Sequence, residues 1–176
     1  MRRTALAPLA LAAVLFTAQP ASASASAATG PGWEPAPSAP WDVGAGARCD
    51  FPVHGEPVVD EVVRRVLGTH PDGSARHVAY QGDLVVRVTN TGTGAFYDAD
   101  AGGSAVVEYG RDGSQSWTVR GPVLVGVGEG QGNLPRGLYI VDGVFTMRIS
   151  PTGYKDVRLL HATTDNLCDR IAPAAT

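Results

Sequence analysis

The residues of this chain that could do chemistry are four histidines, two cysteines and seventeen carboxylates, and their spacing already excludes several reactions. His54, His70, His77 and His161 form no H-x-x-x-H, H-x-H or mixed His/Cys pattern, so histidine offers no zinc site. His77 and His161 fall in strand-like runs and His70 in a turn. No Gly-x-Ser-x-Gly elbow occurs, which removes the simplest serine hydrolase motif. The glycine-rich stretch Gly126–Gly132 lacks dinucleotide spacing and has no following Lys-Ser/Thr pair, so it reads as a loop between strands. Asp98-Ala99-Asp100 opens like a calcium loop, but the twelfth position is Tyr109 where a bidentate Glu is needed. Glu56, Asp60, Glu61 and Glu108 are carboxylates that glycoside chemistry could use if the fold brought two of them together. No metal or cofactor is expected, and no residue is named as catalytic.

The cysteines are better explained by structure than by reaction. Arg2 and Arg3, an apolar run from Ala5 to Ala18 and three A-x-A sites before residue 28 read as a secretory signal peptide over 1–27, of the ordinary Sec type. The apolar run is too short to span a bilayer, and no other segment approaches the required length. Outside the cell a lone pair of cysteines is joined, so Cys49 and Cys168 are expected to form a disulfide closing residues 49–168. Without the leader the chain carries 12 basic and 17 acidic residues, which excludes nucleic-acid binding through bulk positive charge. Thirteen Arg against the single Lys155 is the bias of a GC-rich genome.

The elements that must position any site are strands. Residues 28–47 hold Pro31, Pro35, Pro37 and Pro40 with no alternation, the mark of an extended tether; Trp33 and Trp41 are out of place there unless they fold back onto the domain. Over 48–172, short Val-rich runs alternate in period two, as in Leu84–Thr89, Gln115–Arg120 and Val144–Ile149. The segments 70–74, 110–114 and 150–153 carry hairpin-tip chemistry, with Gly where a positive φ is needed. Val58, Val59, Val62, Val63, Val66 and Leu67 recur at helical spacing, but β-branched residues leading into a Pro-Asp-Gly turn favour a long strand. A short helix capped by Thr164 or Asp165 is expected near Cys168, with a tail over 173–176. The fold is therefore predicted to be an all-β antiparallel meander of about ten strands with an apolar interior. It forms a small barrel or, as the alternative, a β-sandwich.

Several segments carry a resemblance: the Cys-x-Phe-Pro-Val start (Cys49–Val53), Val-Thr-Asn-x-x-Thr-Gly (Val88–Gly94), Gly-x-Asp-Gly-Ser-x-x-Trp-Thr-Val-x-Gly-Pro (Gly110–Pro122) and the closing Asp-x-Leu-Cys (Asp165–Cys168). Together they resemble a group of small secreted all-β proteins of actinobacteria without an assigned activity. The resemblance implies an exported β domain and is silent on substrate.

The function expected from these readings is a monomeric, non-catalytic module that binds a small ligand or a surface partner. The expected rim of its site is the loop carrying Gly128, Glu129, Gln131, Asn133 and Arg136. The alternatives are a secreted enzyme with a carboxylate and Tyr site inside the barrel, or a carbohydrate-binding β-sandwich.

Overall fold

The computed structural model describes residues 32–172; the leader expected over 1–27, the start of the tether and the tail 173–176 lie outside the described residues. The chain forms β1 (Glu34–Pro35), β2 (Trp41–Val43), β3 (Val53–Asp60), β4 (Val63–Thr69), β5 (Ala75–Gln81) and β6 (Leu84–Asn90). It continues with β7 (Phe96–Asp100), β8 (Ser104–Tyr109), β9 (Gln115–Arg120), β10 (Val123–Val127), β11 (Gly137–Ile149), β12 (Lys155–Asn166) and the helix α1 (Leu167–Arg170). The fold is all-β with a short C-terminal helix, as its alternation predicts. No helix among the described residues is long and apolar enough to cross a membrane.

One sheet runs β1-β4-β5-β8-β9-β11-β10, with β12 on the other flank of β11, and a second runs β2-β3-β6-β7. Every pairing between strands is antiparallel. Between Val53 and Asn166 the chain behaves as six long runs joined by hairpins, each bent in the middle. The bends lie side by side, held by hydrogen bonds from Glu61 N to Asp83 O, Ala101 N to Leu84 O, Gly103 N to Pro122 O and Gly121 N to Gly143 O, at 2.7–2.8 Å. On one side of this crease all six runs share one sheet; on the other, β7 and β10 part and the ladder splits.

Glycine lines the crease because neighbouring backbones come too close for a side chain. A Cβ on Gly143, whose φ is +111°, would collide with the His161 carbonyl, and one on Gly121 with the Val141 carbonyl.

Two apolar clusters fill the fold. The first joins Val107, Val119, Phe145, Met147 and Val157 from the undivided half to Val125, Val127, Tyr139 and Val141. The second joins Val53, Val86, Val88 and Ala99 to Leu138, and to Leu167 and Ile171 at and beyond α1. Strands β10 and β11 supply alternate residues to both, Val125 and Tyr139 to one, Leu124 and Ile140 to the other. Burial on both faces explains the unbroken apolar runs Val123–Val127 and Gly137–Val141. The interior is apolar as expected apart from Asn90, which donates from Nδ2 to the Ile171 carbonyl at 3.0 Å and accepts from Gly92 N at 3.0 Å.

The sheets are not closed into a barrel, and their facing halves fit the sandwich alternative. Two strands beyond the expected ten, β1 and β2, come from the segment read as a tether, and they border β4 and β3. Trp41 docks over Gly55, and the Arg65 guanidinium lies 5.2 Å from the Trp33 ring centroid. The Val58–Leu67 segment is extended, as β propensity predicts, but it bends at Glu61–Val62. Register shifts between Pro57 and Val59 and between Val66 and Gly68 interrupt its alternation, and Val58, Val59, Val66 and Leu67 remain exposed, so the four-residue spacing marks neither a helix nor one buried strand face. The Cys49–Cys168 disulfide is present, with Cα atoms 5.4 Å apart. The helix cap falls at Asn166 rather than Thr164 or Asp165; its Oδ1 accepts from Cys168 N at 3.2 Å and from Leu138 N at 3.3 Å.

Candidate functional site

The three predicted tips are real and share one geometry: Gly73, Gly113 and Gly153 have φ of +85°, +86° and +86°. They lie at the same end of the molecule. In the first two, an Asp side chain accepts from the Ser two residues on: Asp72 Oδ1 from Ser74 Oγ at 2.6 Å, and Asp112 Oδ1 from Ser114 Oγ at 2.6 Å. Because β5 pairs with β8, these two tips are neighbours, and Arg111 Nη2 donates to Asp72 Oδ2 at 3.1 Å.

Between them, on the side of the sheet that carries the first cluster, lies an open groove of about 800 Å³. Its polar lining includes Arg64, His70, Asp72, Tyr80, Tyr109 and Arg111. Register places Arg64 of β4 opposite Tyr80 of β5. The Tyr80 and Tyr109 hydroxyls bond each other at 2.8 Å, and the Tyr80 ring stacks on Trp117 with centroids 6.4 Å apart. Trp117 is half-buried beside Tyr80 on the same face of the sheet. Arg64 Nε donates to Glu34 Oε1 of β1 at 2.8 Å, and His70 Nε2 meets the Tyr109 carbonyl at 2.9 Å.

The charge states follow from these contacts. Burial, aided by the bond to Tyr80, pushes the Tyr109 hydroxyl above its ordinary value, so it stays protonated at physiological pH. The Ser74 hydroxyl and amide hold Asp72 below the usual carboxylate range, with Arg111 contributing. The Glu34 carboxylate holds the Arg64 proton more tightly still. The groove thus presents guanidinium and phenol donors beside one carboxylate acceptor. The Ser74–Asp72 bond is turn chemistry rather than nucleophile activation, since the Asp112–Ser114 tip repeats it at the same distance.

The other candidates are placed elsewhere. Gly128, Glu129, Gln131, Asn133 and Arg136 share one loop, but it is clamped to β12: the Asn133 side chain donates to Val157 O at 2.7 Å and accepts from Val157 N at 2.8 Å. Lys155 N donates to Gln131 O at 2.9 Å, and Arg136 pairs with Asp50 and Glu129. Glu56 and Asp60 lie on β3 and Glu108 on β8, in different sheets; Asp60 accepts from Val62 N, and Glu108 binds Arg76 at 3.0 Å. Asp98 is paired with Arg87 at 2.8 Å through both oxygens, and Asp100 accepts from Gly102 N. Among the described residues, no group of three or more His, Cys, Asp or Glu side chains is placed to hold a metal ion.

Sequence reasoning used His70 and Asp72 only as turn residues and Tyr109 only as a missing calcium ligand. The available signal was the similarity of the tips at 70–74 and 110–114, which makes His70 and Gly110 equivalent positions and sets Tyr109 one residue before the second tip. Comparison of the chain with protein-family models, with curated proteins and with solved structures finds no match.

Proposed function

We propose that the protein is an exported, non-catalytic binding module, built on a two-sheet sandwich, that holds a small polar ligand in the groove of Arg64, Tyr80, Tyr109 and Arg111. The observation that carries this reading is the convergence of two guanidinium groups and a bonded tyrosine pair in an open groove of ligand size. The filling of the first cluster by Phe145, Val107 and Met147 supports a site on the surface rather than in a barrel mouth. Export is supported by the leader-like residues 1–27, by the Cys49–Cys168 disulfide and by the resemblance to secreted actinobacterial β proteins.

The carbohydrate-binding alternative gains one observation, a second groove on the sheet that brings Trp33 beside Thr118 and Arg120. The test is native mass spectrometry of protein purified from culture supernatant, beside a denatured sample. A small molecule retained in the native spectrum of the wild type, and lost from a Tyr80→Ala/Tyr109→Ala variant, supports the groove. Equal retention by both proteins contradicts it.

A further inference from the structure

We infer that the groove binds a carboxylate-bearing saccharide, with Arg64 receiving the carboxylate and Glu34 of the N-terminal arm competing for the same guanidinium. This rests on the binding-module reading and specifies its ligand.

The inference starts from the supply of donors and acceptors. Arg64 spends Nε on Glu34, which leaves its terminal nitrogens, next to Tyr80, as donors to a second anion. In the Tyr80–Tyr109 pair one proton lies between the two oxygens, and the accepting hydroxyl keeps its own proton to donate. Asp72, ionised and held by Ser74 and Arg111, supplies acceptor oxygens for ligand hydroxyls.

Charge selects among anions. Arg64 and Arg111 face the carboxylates of Glu34 and Asp72, so the paired charges cancel. A phosphate dianion would meet two carboxylates, whereas a ligand with one negative charge and many hydroxyls meets matching partners throughout. The groove volume of about 800 Å³ suits a short oligosaccharide.

Glu34 adds the competing element. It stands opposite Arg64 in the β1–β4 register, and both side chains are about half exposed, so a ligand carboxylate can replace it without unfolding the arm. Removing the Glu34 charge therefore strengthens binding, while removing the Arg64 charge weakens it.

The experiment titrates aldotriouronic acid, a trisaccharide with a single uronate carboxylate, into the disulfide-bonded protein by calorimetry, beside its neutral methyl ester and inorganic phosphate. The acid is expected to bind with the ester at least roughly tenfold weaker, since a charge-assisted hydrogen bond is lost. Arg64→Gln is expected to weaken the acid by about tenfold, and Glu34→Gln to tighten it by about threefold. Thermal melting of both variants confirms that they fold.

Equal affinity for acid and ester, wild-type affinity in Arg64→Gln, or phosphate bound more tightly than the acid overturns the inference. Absence of binding by all three probes also overturns it. In each of these cases, a co-purified ligand lost on Tyr80→Ala/Tyr109→Ala leaves the binding-module reading standing; retention by that variant fails both.

Discussion

Replacing Cys49 and Cys168 by alanine removes a crosslink between residues 119 apart in sequence, which joins the segment before β3 to α1. In the chain-entropy model, releasing a loop of that size from the unfolded ensemble lowers stability by about 5 kcal/mol. Cys49 is only 2% exposed and belongs to the second cluster, so the lost sulfur adds a cavity cost of roughly 1 kcal/mol. Against a domain stability of about 5–15 kcal/mol, this is a large fraction. It corresponds to a fall in Tm of roughly 15–20 °C. Urea unfolding followed by Trp fluorescence provides the assay. The double variant is expected to show both a lower midpoint and a larger m value, because its unfolded chain is more expanded. A loss below about 1 kcal/mol with an unchanged m value would refute the reasoning, since the crosslink would then not be what restrains the unfolded chain.

Other perturbations test the packing and the charges. Phe145→Ala, at a fully buried site of the first cluster, is expected to cost about 3–5 kcal/mol by urea unfolding. Asn90→Ala strands the Ile171 carbonyl and the Gly92 amide; a loss of about 1–3 kcal/mol, with faster hydrogen exchange at Gly92, is expected. Gly143→Ala sets a Cβ against the His161 carbonyl at a φ of +111°, and is expected to give little folded protein in a soluble-yield comparison with Gly153→Ala, whose site is open.

The pH profile has two sides. Hydrogen bonds to Ser74, Arg87, Arg76 and Ser114 lower Asp72, Asp98, Glu108 and Asp112 in the folded state. Their contribution is present above the ordinary values of 3.8 and 4.5 and is lost as pH falls below them. Burial raises Tyr109 and Tyr139, so their contribution is present below pH 10.0 and is lost as pH rises beyond it. Tm measured against pH should be flat between these limits and fall on both sides; a Tm that rises below pH 4 contradicts the assignment.

What the sequence made legible was local. The tips around Gly73, Gly113 and Gly153 carry their turn chemistry in adjacent residues, and β6, β9 and the second half of β11, Val144–Ile149, carry their alternation. The pairing of Cys49 with Cys168 followed from there being only two cysteines in a chain whose first residues read as an export leader. What stayed hidden depends on contacts between distant segments. Gly82, Gly103, Gly121 and Gly143 are far apart in sequence, and only the register of the strands sets them along one crease, which divides the meander into facing sheets. Trp33 and Trp41 show no strand pattern because β1 and β2 are two and three residues long, too short to alternate. The groove was invisible for the same reason: Arg64, Tyr80 and Tyr109 lie on three strands, and nothing local to any of them signals the other two.

The most direct test of the groove as the binding site is a ¹H–¹⁵N correlation spectrum of the labelled protein, recorded with and without aldotriouronic acid, a trisaccharide with a single uronate carboxylate. Shifts are expected to concentrate at Arg64, Tyr80, Tyr109, Gly110 and Arg111, with the backbone of Gly128–Arg136 unmoved. Shifts concentrated on that loop or around Trp33, with the groove silent, would contradict it.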